Sequence, residues 1–247
     1  MPEKSATLAS RLKAARKRAR MSREQLAVES GLSWSAITQI EAGRRLNPRA
    51  DTLGALAPPL GVTVDYLLGS WGPNSGLLDH QFLVYADVAD FVETAAPFLQ
   101  EGADNGEAVL VVSDRENAEG LRDRIGGPAA KFSFGDRQTW YGTPREALLG
   151  YRKFATDALD AGAPWVRIIG EPVWADRTPD EVEAWTRYEG LINLAFGGLP
   201  MSLVCPYNEA VLDPVIVGNA KATHCRCLIQ GQSPRSPEFA NPLDFCL

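Results

Sequence analysis

The stretch "WVRIIGEPVW", Trp165–Trp174, decides how the larger part of this chain is read. An apolar run from Val166 to Ile169 stops at Gly170 and is followed at once by Glu171 and then by Trp174. Such a run reads as a buried strand, and buried strands belong in parallel sheets covered by helices on both faces. The same pattern recurs in "QFLVYA" (81–86), "EAVLVVS" (107–113) and "MSLVCPY" (201–207), with a shorter strand in "KFSFGD" (131–136). Helical segments alternate with them: "DVADFVETAAPFLQEGADNG" opened by Asp87, "RENAEGLRDRIG" ended by Gly126, "TPREALLGYRKFATDALDAG" begun by Thr143 and Pro144, and "TPDEVEAWTRYEGLINLAFGG" capped by Thr178. A last helix, "EAVLDPVIVGNAKATH", is expected to be interrupted at Pro214. Strands alternating with helices predict an α/β domain on a mostly parallel sheet.

The first seventy residues differ in kind. They hold eleven Lys and Arg against six Asp and Glu, a net charge of +5, while the remainder holds fourteen against twenty-five, a net of −11. A basic head on an acidic body suggests that the head alone meets a polyanion. The chain of 247 residues, 45% of them hydrophobic, has room for two modest cores. No apolar run is long enough to span a bilayer and no charged-then-apolar leader precedes the fold, so a soluble cytoplasmic protein with no membrane partner is expected. Cys205, Cys225, Cys227 and Cys246 are too few for a disulfide framework and read as reduced thiols.

In the head, Leu8, Leu12, Ala15 and Ala19 share one helical face. Ser22 caps a second helix, with Gln25 placed for a capping box, and Gly31 ends it. Ser33 caps a third helix, "SWSAITQIEAG", with Ile37 and Ile40 inward, and a fourth follows that ends before Pro58. "TVDYLLG" makes a short fifth. The second and third helices form a helix-turn-helix. The motifs "SREQLAVESGLSWSAITQIEAGRR" and "LGVTVDYLLG" resemble the Cro/phage-repressor (XRE) family over nearly all of residues 6–70. That resemblance implies a third helix in the major groove of double-stranded operator DNA. It places Trp34, Ser35, Thr38 and Gln39 at the bases and Arg23, Arg44 and Arg45 near phosphates. The chemistry agrees: Gln39 suits a bidentate contact to adenine, and the Thr38 methyl suits a thymine methyl. Trp34 is open to a second reading as core, and "APPLG" and Arg23 depart from the family pattern.

The organisation expected is a helix-turn-helix domain over 1–69, a Gly/Ser/Pro-rich linker over 70–79 containing Trp71, an α/β domain over 80–230 and a Pro/Ser-rich tail over 231–247, mobile to about Pro237. In open parallel sheets ligands bind outside the carboxyl ends of the strands. Tyr85 ends the first strand, Glu171 and Trp174 follow the fourth, and Cys205, Pro206 and Tyr207 end the last. The motifs "HQFLVY", "FLQEGADNGEAVLVV", "GEPVW", "RYEGLINLAF" and "CPYN" resemble the MEDS domain, the methanogen/methylotroph sensory domain, from about His80 to His224. That resemblance implies a RecA-like core and a ligand-sensing role, without one agreed ligand.

No phosphate-binding Gly-x4-Gly-Lys-Ser/Thr occurs, so nucleotide hydrolysis is not expected. Glu171 reads equally as a ligand contact and as part of a structural network with Arg187, Glu189 and Asn193. No base–nucleophile pair is evident, and no catalytic residue is assigned. His80, at the start of the first strand, is a structural histidine or an effector contact. Cys205 reads as a small hydrophobe; His224, Cys225 and Cys227 with Cys205 invite a metal or redox reading, but H-C-x-C is not an established ligand spacing and neither metal nor cofactor is expected. The function expected is a homodimeric transcriptional regulator, not an enzyme, whose effector site draws on His80, Tyr85, Glu171, Trp174, Arg187, Glu189, Asn193, Cys205 and Tyr207.

Overall fold

The computed structural model describes residues 7–70 and 77–245, so most of the linker, with Trp71, and Cys246 lie outside the described residues. Among the described residues the head comprises five helices: α1 (Leu8–Arg18), α2 (Arg23–Ser30), α3 (Trp34–Glu41), α4 (Ala50–Leu56) and α5 (Val64–Leu68). Local chemistry sets their ends. The Ser22 side chain accepts from the Gln25 amide while the Gln25 side chain accepts from the Ser22 amide, a closed capping box. Gly31, at φ +66°, turns the chain out of α2 in a conformation that costs other residues a clash. Leu12, Leu26, Ile37, Ile40, Leu56 and Tyr66 are wholly buried in the head's core.

The body runs β1 (Asp79–Tyr85), α6 (Val88–Asn105), β2 (Ala108–Ser113), α7 (Arg115–Ile125), β3 (Ser133–Asp136), α8 (Arg137–Trp140), α9 (Pro144–Asp160), β4 (Val166–Gly170), α10 (Pro179–Ala195), β5 (Met201–Asn208), α11 (Pro214–Thr223) and β6 (Arg226–Cys227). The six strands form one sheet, ordered β3-β2-β4-β5-β1-β6, and every pairing is parallel. Alternation along the strands feeds two cores. Leu83, Tyr85, Val109, Val111, Ile169 and Val204 pack under α6 and α7. Phe82, Leu110, Val112, Ile168, Leu203 and Cys205 pack under α9, α10 and α11. Arg167, a buried charge near the start of β4, is held by Glu107 at 2.7 Å, Glu101 at 3.2 Å and the Phe98 carbonyl at 2.6 Å, so the paired charge leaves the strand buried.

Trp165, one residue before β4, does not belong to either of these cores. It is buried in the head's core together with Leu77, Tyr66 and Leu67. The Tyr66 hydroxyl donates to the Pro164 carbonyl at 3.1 Å, and the Trp165 indole donates to Ser202 at 3.1 Å. Head and body are therefore joined by packed apolar surface.

Two expectations need correction, and a short helix had not been foreseen. The helix expected to be interrupted at Pro214 begins there: Asp213 caps it and Pro214 takes the first turn, where its missing amide costs nothing. The tail expected to be free to Pro237 is hydrogen-bonded back onto the body, Ser233 to Gln81 at 2.8 Å and Ser236 to the Lys221 carbonyl at 2.7 Å. The short helix α8, unforeseen in the sequence, follows β3 directly. No helix among the described residues is long and apolar enough to cross a membrane.

Candidate functional site

The helix-turn-helix presents its outer face to solvent. Trp34 is 47% exposed, which removes the core reading for it, and Ser35, Gln39 and Arg44 are exposed while Thr38 and Arg45 are half-buried. Arg23 is not free: its Nε lies 2.6 Å from Glu41, which also holds Arg16 at 2.7 Å. Glu41 thus ties α1, α2 and α3 together. Burial opposes its charge, but the two guanidiniums prevail and hold its carboxyl below the usual range.

In the body, the carboxyl ends of β1, β2, β3 and β4 converge on Glu171. Its Oε1 accepts from Tyr85 at 2.6 Å and Arg137 at 2.5 Å. Its Oε2 accepts from Ser113 at 2.5 Å, the Asp114 amide at 3.2 Å and Asn117 at 3.3 Å. Five donors meet about four lone-pair sites, so the carboxylate is saturated by the fold itself. Burial beside this carboxylate pushes the Tyr85 hydroxyl far above its ordinary value, so Tyr85 stays a donor. Gly170 precedes Glu171 because the hydroxyls of Tyr141 and Tyr151 press on its Cα, where a side chain would collide. Next to Glu171 lies a cavity of about 120 Å³, walled by Trp174, Pro206, Leu212 and Val211, with Arg137 and Asp114 at its polar side. Arg137 also pairs with Asp114 at 3.2 Å.

The nine residues expected to form one effector site are distributed otherwise. Tyr85, Glu171 and Trp174 meet at this cleft. Arg187 does not join them: it is half-exposed on α10 and pairs with Glu183 at 2.6 Å. His80, Glu189, Asn193 and Cys205 meet elsewhere, in a buried cluster between the sheet and α10, with Tyr207 beside it: its ring centroid lies 5.9 Å from that of His224. The sequence reading missed Ser113, Asp114, Asn117 and Arg137, although Ser113 ends β2 and Asp114 and Arg137 follow the ends of β2 and β3, the rule that had selected Tyr85 and Glu171; Asn117, in the first turn of α7, carried no such signal.

The buried cluster consists of His80 on β1, Glu189 on α10, Cys205 on β5 and His224 at the end of α11. Each is at most 2% exposed. His80 Nε2, His224 Nε2 and Cys205 Sγ each lie 3.5 Å from Glu189 Oε2, and Cys205 Sγ is 3.5 Å from His80 Nε2. Burial pushes both imidazoles down to about 3, Glu189 up to about 7 and the Cys205 thiol well above its ordinary value. Cys225 and Cys227 do not take part: their thiols face the carbonyls of His80 and Pro234.

A larger cavity, about 350 Å³, opens at the opposite edge of the sheet, where the head meets the body. Arg18, Arg20, Asp79, Glu101, Arg167 and Ser202 line it.

Residues 79–225, more than half of the chain, match the family described as the methanogen/methylotroph, DcmR sensory domain, abbreviated MEDS. The chain belongs to the MEDS family. Residues 7–67 match a family described as a helix-turn-helix domain. No curated protein matches the chain. The chain thus joins a helix-turn-helix domain, a type that suggests DNA binding, to a sensory domain, and the pair points to a regulator. The MEDS match ends at Cys225, so both the Glu171 cleft and the His80–Glu189–Cys205–His224 cluster lie within it.

Proposed function

We propose that the chain is a cytoplasmic transcriptional regulator of the XRE type that binds operator DNA as a homodimer and responds to a small molecule held by its MEDS domain. In this reading Trp34, Ser35, Thr38 and Gln39 face the bases, and Arg44 and Arg45, with Arg23 once turned from Glu41, approach phosphates. A single such helix reads only a few base pairs, and two half-sites give the specificity a regulator needs.

One observation carries the coupling. Strand β4 starts beside Trp165, in the head's core, and ends beside Glu171, at the cleft. A ligand that shifts Glu171 or Arg137 bears on a strand of five residues, roughly 17 Å long, whose other end is packed into the head. The effector is small, in keeping with a cavity of about 120 Å³. Trp174 and Leu212 supply its apolar walls and Arg137 its polar contact. Saturation of Glu171 by five donors supports a positioning role for it over that of a general base, which needs a free lone pair.

The test is fluorescence anisotropy of the full chain on DNA selected from a randomised pool, at several salt concentrations, with and without small organic molecules of this size. The reading expects steep salt dependence, sequence selectivity and a change of DNA affinity with one class of molecule, mirrored by a change of that molecule's affinity on adding DNA. Equal affinity for all sequences would overturn it.

A further inference from the structure

The buried cluster is an unusual meeting of electron-pair donors. The His224 Nδ1 faces the Ala220 carbonyl at 2.8 Å, which accepts only from an N–H, so the proton sits there and the Nε2 lone pair points into the cluster. Asn193 is oriented by donating to the Thr223 carbonyl at 2.8 Å, which leaves its Oδ1 to accept from His80 Nδ1 at 3.3 Å. His80 Nε2 therefore also points a lone pair inward. Facing these two lone pairs are the Glu189 carboxylate and the Cys205 sulfur. Glu189 Oε1 and His224 Nε2 have no hydrogen-bond partner although both are buried. The single Cys205 thiol proton has Glu189 Oε2 and His80 Nε2 both at 3.5 Å, and Glu189 Oε1 and His224 Nε2 are left with none, a shortage in a dry core that a cation among the four removes.

We propose that His80 Nε2, Glu189, Cys205 Sγ and His224 Nε2 hold a divalent cation of the zinc type, as a closed four-ligand site within the MEDS domain. Their ligand atoms all lie within 4.8 Å of one another. The four 3.5 Å separations match the roughly 3.3–3.8 Å edges of a tetrahedron whose metal bonds are about 2.0–2.3 Å long. Charge also closes: thiolate and carboxylate together neutralise a divalent ion, so the loaded site is neutral in its buried surroundings. Imidazole, thiolate and carboxylate in one tetrahedral set suit zinc, and calcium or magnesium would require an all-oxygen set. The carbonyl of Ala220 and the amide of Asn193 orient the rings, as partners of metal-bound histidines do. With four protein ligands and no exposed face, the ion ties β1, β5, α10 and the end of α11 together. This site is independent of the DNA-binding reading above and of the Glu171 cleft.

The test uses the full chain, purified, freed of metal under reducing conditions and titrated with cobalt(II). Expected are an intense thiolate-to-cobalt band in the near ultraviolet and d–d bands of tetrahedral strength, saturating at one equivalent and abolished by zinc(II). Cys205→Ser should remove the thiolate band, while Cys225→Ser and Cys227→Ser keep it. Zinc content of the protein as expressed, near one per chain, gives a second reading that requires no variant. The proposal is overturned if cobalt yields only the weak spectrum of the aqueous ion, or if the band persists in Cys205→Ser and is lost with Cys225 or Cys227.

Discussion

The Arg18 guanidinium carbon lies 3.4 Å from the centroid of the Trp165 ring, so that α1 of the head clasps the residue just before β4 of the body. Burial draws the Arg18 guanidinium below its usual value, and the ring face offsets part of that cost. Trp165→Ala should lower stability by about 3–5 kcal/mol. Because the lost side chain belongs to the head's core, hydrogen exchange should quicken in α1 and α5 as well as in β4. Faster exchange in the body alone would mean that the two parts are not mechanically joined.

On the DNA side, Gln39 and Arg44 are both exposed and should behave differently. Gln39→Ala should erase discrimination of about 1–3 kcal/mol at one base pair and leave the salt slope unchanged. Arg44→Ala should weaken binding to all sequences alike and reduce the salt slope by about one. Competition assays with single-base operator variants distinguish them.

Glu171→Gln keeps the shape of the cleft but replaces an acceptor with an amide among donors. A loss of about 2–3 kcal/mol in unfolding free energy is expected, since one oxygen becomes an NH2 facing donors and the hydrogen bond kept at the other, from Arg137 or from Ser113, loses its charged acceptor. Urea denaturation followed at the body's tryptophans measures it. A variant as stable as the parent would show that the saturated network is not what holds the strand ends together.

Acid should weaken the head through Glu41. Its folded value lies below the ordinary 4.5, so its contribution is fully present above that value and is lost as pH falls through the folded one. Melting curves taken downward from about pH 5 should show the head loosening, and Glu41→Gln should flatten that dependence at the cost of lower stability near neutrality.

At the far end of the chain, Phe245 packs directly on Gly190 of α10, and a methyl group added there would stand 2.7 Å from the Phe245 Cβ. Gly190→Ala should displace the residues after Asn241 and speed their removal by protease, with little change in the melting of the body. Unchanged cleavage would place the anchor of the tail at Ser233 and Ser236 instead.

Much of this protein is legible in order along the chain, because short-range chemistry writes it there. Capping serines and threonines, terminal glycines and the period of apolar residues announce α1 to α7, α9 and α10, and the unbroken apolar runs announce a parallel sheet. The exception at Pro214 is instructive: the same residue that breaks a helix also opens one, and only the turn made by residues 209–213 decides between them. Even the saturation of Glu171 has a signal in the sequence, since Ser113, Asp114 and Arg137 all sit where a strand ends. What the sequence determined by itself was therefore the kind of element at most places, α8, β6 and the start of α11 excepted, and the two domain types. What the tertiary structure alone decided was company: that Arg137, from beyond β3, pairs with Glu171 where Arg187 was expected, and that His80, Glu189, Cys205 and His224 face one point. Strand order and the rotation of α10 over the sheet set those neighbours. Both are fixed by how whole surfaces pack, a property of no single stretch of residues.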